Sequence, residues 1–262
     1  MQRGFSLVEL SIVLVILGLL TGGILGGQNL MRAAELRSIS IEFKKYQTAV
    51  YSFKDKYRAL PGDMNNAIDF WGEPAAGCPD NAGTGTETCN GSGDGHVRLV
   101  NGASEYGERF TFWQHLVNAG LLEGSYTGIA GSGDPNEHVF GENNPRSKIG
   151  NAGWTVYMYG ELSGSSSLFD GSYGHTLWVG GDAVAAPNTD ILLPEEMWNI
   201  DMKMDDGMPA QGNVVVRGRV GCTTLADGSA MTSSVAHAAA LDSVYNLQNE
   251  DIECVPLIRN AF

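Results

Sequence analysis

Basic charge is scarce in this 262-residue chain: 16 Lys and Arg stand against 30 Asp and Glu, for a formal net charge of −14. That balance excludes a nucleic-acid or anionic-membrane footprint for the chain as a whole, and no nucleic-acid partner is expected. Catalytic signatures are also missing. There is no Gly-x-Ser-x-Gly turn, no phosphate-binding glycine loop and no His-Glu-x-x-His, and the five histidines (His96, His115, His138, His175, His237) are scattered. An enzyme is therefore not expected. Cysteine is limited to Cys78, Cys89, Cys222 and Cys254, with no Cys-x-x-Cys pair and no histidine at a zinc-completing spacing. Four cysteines suit two disulfides in an oxidising compartment, provided the chain is exported. Proline is absent before Pro61, so none of the first sixty residues carries the strongest helix breaker.

What is abundant is glycine, with 35 residues, which predicts many turns and long irregular connections. Charge is unevenly placed. From Arg32 to Arg58 seven basic and three acidic residues give a net of +4, whereas Ala59 to Phe262 carries eight basic and 26 acidic residues, a net of −18. A basic neck thus carries an acidic head. The acidity keeps the head soluble, and opposite poles also permit attraction between subunits of a polymer.

Phe5 to Leu25 is apolar or small except for Ser6, Glu9, Ser11 and Thr21. As a helix those residues span about 30 Å, the thickness of a bilayer core. Arg3 ahead of the run predicts a cytoplasmic N-terminus and an exported remainder. A cleavable signal peptide would place its apolar core at Leu10–Leu20 and its cut near Gly22 and Gly23. The pattern does not stop there, however. Leu36, Ile39, Phe43, Tyr46, Val50, Phe53 and Tyr57 recur at alternating spacings of three and four, one stripe along a helix. Leu60-Pro61-Gly62 supplies the stop. One helix is expected from Phe5 to about Arg58, roughly 80 Å long. Gly22, Gly23, Gly26 and Gly27 interrupt it at about 1 kcal/mol each relative to alanine, which predicts a place that bends or melts. Close packing between membrane helices is the other reading of these small residues.

Glu9 stands inside the apolar run. A carboxylate in a bilayer costs a few kcal/mol unless paired, and so marks function. At four residues into the run, it also has the option of a hydrated position at the interface.

Gly4-Phe5-Ser6-Leu7-Val8-Glu9-Leu10, followed by the apolar stretch, resembles the prepilin cleavage and methylation motif of type IV pilins and type II secretion pseudopilins. The resemblance implies cleavage after Gly4 by a prepilin peptidase and N-methylation of the new terminus, Phe5. It implies that Glu9 neutralises the terminal amine of a neighbouring subunit during assembly, which agrees with the mutual need of a buried carboxylate and a buried ammonium. Implied partners are homologous pilin or pseudopilin subunits, the peptidase and an inner-membrane assembly platform. The chain departs from many pilins in lacking a proline in the middle of this helix, and it is larger than typical major subunits. The expected division is a leader at 1–4, a transmembrane part at 5–25, an amphipathic part at 26–60 and a pilin-like head at 61–262. The looser segments Tyr57-Arg58-Ala59-Leu60-Pro61-Gly62-Asp63 and Asp201-Met202-Lys203-Met204-Asp205-Asp206-Gly207 resemble parts of large pilin-like proteins of Gram-negative bacteria.

In the head, Asp63 to Trp71 reads as a short capped helix ending at Gly72, and residues 72–96 as a loop that a Cys78–Cys89 bridge would pin. Ser104–Leu122 and Leu193–Asp205 read as helices, the second closed by Asp206-Gly207. Trp154–Leu162, His175–Val179, Asn213–Val220 and Cys254–Ile258 read as strands. Antiparallel strands on the stripe of the long helix give an α+β fold. Nearness in sequence favours pairing Cys78 with Cys89, which leaves Cys222 for Cys254.

Calcium is the one ligand with candidate residues, no other cofactor being expected. Asn90, Ser92 and Asp94 alternate oxygen donors before Gly95, although Asn101 stands where an EF-hand carries its glutamate. Asp201, Asp205 and Asp206 form a second candidate, competing with a plain helix end and turn. A minor or tip subunit acting as an adhesin, with the five tryptophans as anchors, and a membrane-tethered hydrolase are the alternatives to a structural subunit.

Overall fold

The computed structural model describes residues 6–75, 77–78, 86–98, 107–134, 136–182, 186–217, 220–232 and 238–262. Helix α1 (Leu7–Tyr57) runs unbroken for 51 residues, including Gly22, Gly23, Gly26 and Gly27, so helical hydrogen bonding does not melt there. Residues 6–26 are exposed throughout, and burial begins in the second half. There Ile39, Phe43, Tyr46, Val50 and Phe53 are buried and Leu36 and Tyr57 partly so, the stripe that its spacing predicts. Arg58 closes the helix in the left-handed region at φ 57°, its N–H donating to the Lys54 carbonyl.

The chain then turns at Gly62, whose φ is +83° and whose missing Cβ leaves room for the Glu108 carbonyl. Helix α2 (Ile68–Trp71) is much shorter than the expected Asp63–Trp71. The reason lies in Asp63. Its carboxylate does not cap a helix but accepts the Ser92 hydroxyl at 3.1 Å and the N–H groups of Asp94 and Gly95 at 2.9 and 3.0 Å. Gly91 and Gly93 donate to the Met64 and Asp63 carbonyls, so residues 61–67 serve as an anchor for the glycine loop.

Helix α3 (Glu108–Asn118) packs Phe112, Trp113 and Leu116 into the core; residues 104–106 of the expected helix lie outside the described residues. Strands β1 (Ala152–Leu162) and β2 (Gly171–Gly181) form an antiparallel hairpin with an irregularity between Met158 and Glu161. Helix α4 (Pro194–Met204) follows. Strand β3 (Val214–Arg217) is shorter than expected, residues 218–219 lying outside the described set. The short β4 (Thr223–Thr224) and β5 (Val244–Tyr245) pair with each other. Strand β6 (Val255–Ile258) inserts between β2 and β3, giving the order β1-β2-β6-β3, antiparallel throughout.

Alternation along the strands sorts side chains onto two faces. Trp154, Val156, Leu177, Val179, Val214, Val216 and Ile258 join the core against α1. Trp178, Val215, Val255 and Leu257 belong to a second, smaller cluster with Leu168 and Tyr173. Tyr46 meets Trp113 and Trp154 edge-on at 5.1 and 5.4 Å, locking α1 to both α3 and β1. The result is α+β, a long helix laid on an antiparallel sheet.

Candidate functional site

The exposed half of α1 is the first candidate. Leu7 to Leu25 places thirteen large apolar side chains on its surface, all more than half exposed. It is a helix long and apolar enough to cross a membrane, and none of its most apolar window is buried in the protein. At its start Ser6 is the N-cap, its hydroxyl oxygen accepting the Val8 N–H at 3.2 Å. The Glu9 carboxylate reaches back to accept the Ser6 N–H at 2.8 Å, completing a capping box. Glu9 therefore sits in the first helical turn, where the positive end of the helix dipole favours its charge. Gly4 and Phe5 lie outside the described residues.

At the junction with the head, Arg32 grips Glu196 of α4 through two hydrogen bonds of 2.6 Å and donates to the Ile191 carbonyl at 3.2 Å. Glu196 also accepts the Leu193 N–H at 3.0 Å, so one carboxylate caps α4 and holds the stem. This tie leaves no mark in the sequence, because its partners stand 164 residues apart. Glu42 was missed too, although a signal existed: it falls three residues after Ile39 and beside Phe43, on the buried stripe. It is 7% exposed.

The four cysteines form two bridges, Cys78–Cys89 and Cys222–Cys254. The first calcium candidate does not converge. The Asn90 side chain accepts the Ile68 N–H, the Ser92 hydroxyl donates to Asp63, and Asp94 faces His96 and Arg98. Asn101 lies outside the described residues. The second candidate does converge. Asp201, Asp205 and Asp206 each bring a carboxylate oxygen within 4.8 Å of the others. Burial pushes the Asp201 carboxyl up to about 7; the Tyr245 hydroxyl, donating at 2.7 Å, and the Gly207 N–H oppose the rise, and the charges of Asp206 and Asp205 add to it.

The histidines serve the fold. His115, fully buried, accepts the Gly62 N–H on Nδ1 at 3.0 Å and faces the Thr88 hydroxyl with Nε2. Nε2 of His138 meets the Thr155 hydroxyl at 2.8 Å. His175 accepts the Val97 N–H and stacks on Phe262, while His96 contacts Asp94. His237 lies outside the described residues. Trp113, Trp154 and Trp178 are buried, which removes them as surface anchors; Trp71 and Trp198 are half-buried.

Residues 1–25 match the prokaryotic N-terminal methylation motif. The chain carries the prepilin motif of type IV pilins and pseudopilins. The motif supports a type IV pilin-like or pseudopilin subunit, and it implies processing by prepilin peptidase and assembly with other pilin subunits. With the apolar half of α1, it is consistent with membrane anchoring. No curated protein and no solved structure matches the chain.

Proposed function

We propose that this pilin-like chain is a structural, non-enzymatic subunit of a type IV pilus or a type II secretion pseudopilus, cut after Gly4 and methylated at Phe5. Before assembly it crosses the inner membrane once, with its N-terminus in the cytoplasm and its acidic head in the periplasm. An inner-membrane platform then moves it into the filament through α1. The observation that carries this reading is the division of α1 into two halves of opposite character. The head already covers the Ile39–Phe53 stripe, so that surface has no further partner to seek. Among the described residues nothing covers the half from Leu7 to Leu25, which requires lipid or neighbouring helices.

The Glu9 carboxylate supports the same reading. Processing would create the Phe5 ammonium at the residue that precedes the Ser6 cap in sequence, and Glu9 stands in the first turn that this cap opens. In a bundle of such helices each carboxylate neutralises the ammonium of the next subunit, which neither group can do without when removed from water. Mass spectrometry of the membrane form is the test. The expected mature chain begins at N-methylated Phe5, and Gly4 replaced by a bulky residue leaves the precursor uncut. A mature terminus near Gly23 or Gly27 would mark an ordinary signal peptide and overturn the proposal.

A further inference from the structure

We propose that the C-terminal end of α4 is a divalent-cation site of the oxygen-preferring class, taking calcium between the carboxylates of Asp201, Asp205 and Asp206. One oxygen from each lies within 4.8 Å of the others. Ligands on opposite sides of a calcium ion, each at 2.3–2.6 Å, stand about 4.6–5.2 Å apart, so this spread fits around one ion.

The decisive observation is Asp201. Its side chain is 0% exposed. Its Oδ2 is held by the Tyr245 hydroxyl at 2.7 Å and the Gly207 N–H lies against the carboxylate, yet its Oδ1 makes no hydrogen bond of normal geometry. A buried carboxylate oxygen left without a donor is costly, and coordination to a cation would satisfy it. The surroundings make the need larger. Among the described residues, no lysine, arginine or histidine forms an ion pair with any of the three acids. All three lie at the negative end of the α4 dipole, where acids are disfavoured and a cation is favoured.

The loop after the helix holds the site in shape. The Asp205 carboxylate accepts the N–H groups of Asn213 and Val214, the latter at 3.0 Å, and Asp206 accepts the Met208 N–H at 2.8 Å. Gly212 presses so close that a Cβ there would overlap the Asp205 carboxylate. Asp205 and Asp206 are exposed, which gives the ion a way in and leaves its outer side to water. The donor set is all oxygen, without the nitrogen or sulfur that zinc prefers, and its uneven mixture of buried and exposed groups suits calcium better than the strict octahedron of magnesium.

The test uses the full chain in detergent micelles, stripped with a chelator, with calcium chloride alone as the probe. Titration calorimetry should give a Kd of about 0.1–1 mM, the range of extracellular calcium modules. At ~100-fold excess over Kd, the thermal midpoint should rise by roughly 5–10 °C at matched ionic strength. Magnesium should give a clearly smaller rise. Asp205→Asn combined with Asp206→Asn keeps an acceptor for each loop N–H. This double variant should weaken calcium binding at least about tenfold while its calcium-free midpoint stays level or rises. A single Asp206→Asn variant, altering only an exposed group, should weaken binding in the same direction. The proposal is overturned if the wild-type midpoint ignores calcium, if magnesium matches it, or if the rise survives intact in the double variant.

Discussion

The Glu42 carboxylate on α1 accepts the indole N–H of Trp154 on β1 at 2.7 Å. It also accepts the Ser147 hydroxyl at 2.7 Å and the Lys148 N–H at 3.0 Å, so one buried acid joins the helix to the sheet and to the loop before it. Glu42→Ala leaves three donors without an acceptor, and the expected loss is roughly 3–5 kcal/mol. Glu42→Gln retains an acceptor oxygen and should lose about half as much. Urea unfolding in micelles, followed by tryptophan fluorescence, measures both. A loss below ~1 kcal/mol for the alanine variant would show that the acid is dispensable to the joint.

Acid should loosen the head through two buried rings. Burial lowers His115 to about 4 and, with the neighbouring Arg109 charge adding to it, lowers His138 to about 3. Both stay neutral in the folded chain while an unfolded chain protonates them near their ordinary value of about 6.5. Below that value the unfolded state binds more protons, so stability falls as pH falls from about 6.5 towards 4; above it the contribution is complete. Going from pH 7.5 to 5 should remove on the order of 2 kcal/mol per ring. Protonating Nδ1 of His115 also breaks its bond from Gly62. The buried Asp201 carboxyl, raised to about 7, works in the opposite sense over the same range, so the test is the difference between variants. His115→Gln should reduce the fall by about one ring's share, on the order of 2 kcal/mol, and a pH dependence identical to wild type would contradict the assignment.

The two bridges should differ in worth. Cys78–Cys89 spans 11 residues and Cys222–Cys254 spans 32, and chain-entropy reasoning gives about 3 and about 4 kcal/mol respectively. Serine pairs at each bridge, compared by denaturation, should rank in that order. Non-reducing peptide mapping that joined Cys78 to Cys222 or Cys254 would refute the pairing.

Glu9→Gln should separate folding from assembly. Glutamine keeps an oxygen for the Ser6 N–H, so the start of α1 survives. Under the proposed pairing it lacks the charge that a neighbour's ammonium requires, a penalty of about 3–5 kcal/mol at every subunit added. Even the lower end weakens the equilibrium of each addition more than about a hundredfold. The expected product is a processed, folded, membrane-bound monomer that is absent from sheared filaments. Normal incorporation would sink the pairing mechanism, and failed leader cleavage would show that Glu9 acts earlier.

Helix α1 was legible because a helix packed along a surface repeats its apolar residues at three and four, and Leu36 to Tyr57 do so without a gap. The four strands of the main sheet were legible from their aromatic and β-branched content, although β2 extends beyond His175–Val179 at both ends and the two-residue β4 and β5 were not expected; the strand order was not legible. Nothing local in Val255–Ile258 says that it lies between β2 and β3, since both partners are chosen by packing across the chain. Asp63 was misread for a related reason. Its position before an apolar segment has the look of a helix cap, yet Ser92, Asp94 and Gly95, about thirty residues on, outbid the local N–H groups. At the acidic end of α4 the three aspartates were visible as candidates, whereas the burial of Asp201 and its Tyr245 bond belong to the folded chain alone.

The bare half of α1 also sets the order in which the molecule gives way under load. Drawing the thirteen apolar side chains between Leu7 and Leu25 into water costs roughly 20–40 kcal/mol at 1.5–3 kcal/mol each. A folded head of this size is stable by only about 5–15 kcal/mol. In the membrane-anchored form proposed above, the anchor is therefore the stronger link: a pull on the head is expected to unravel the head before it bares the helix, and the two disulfides limit how far the unravelled chain extends.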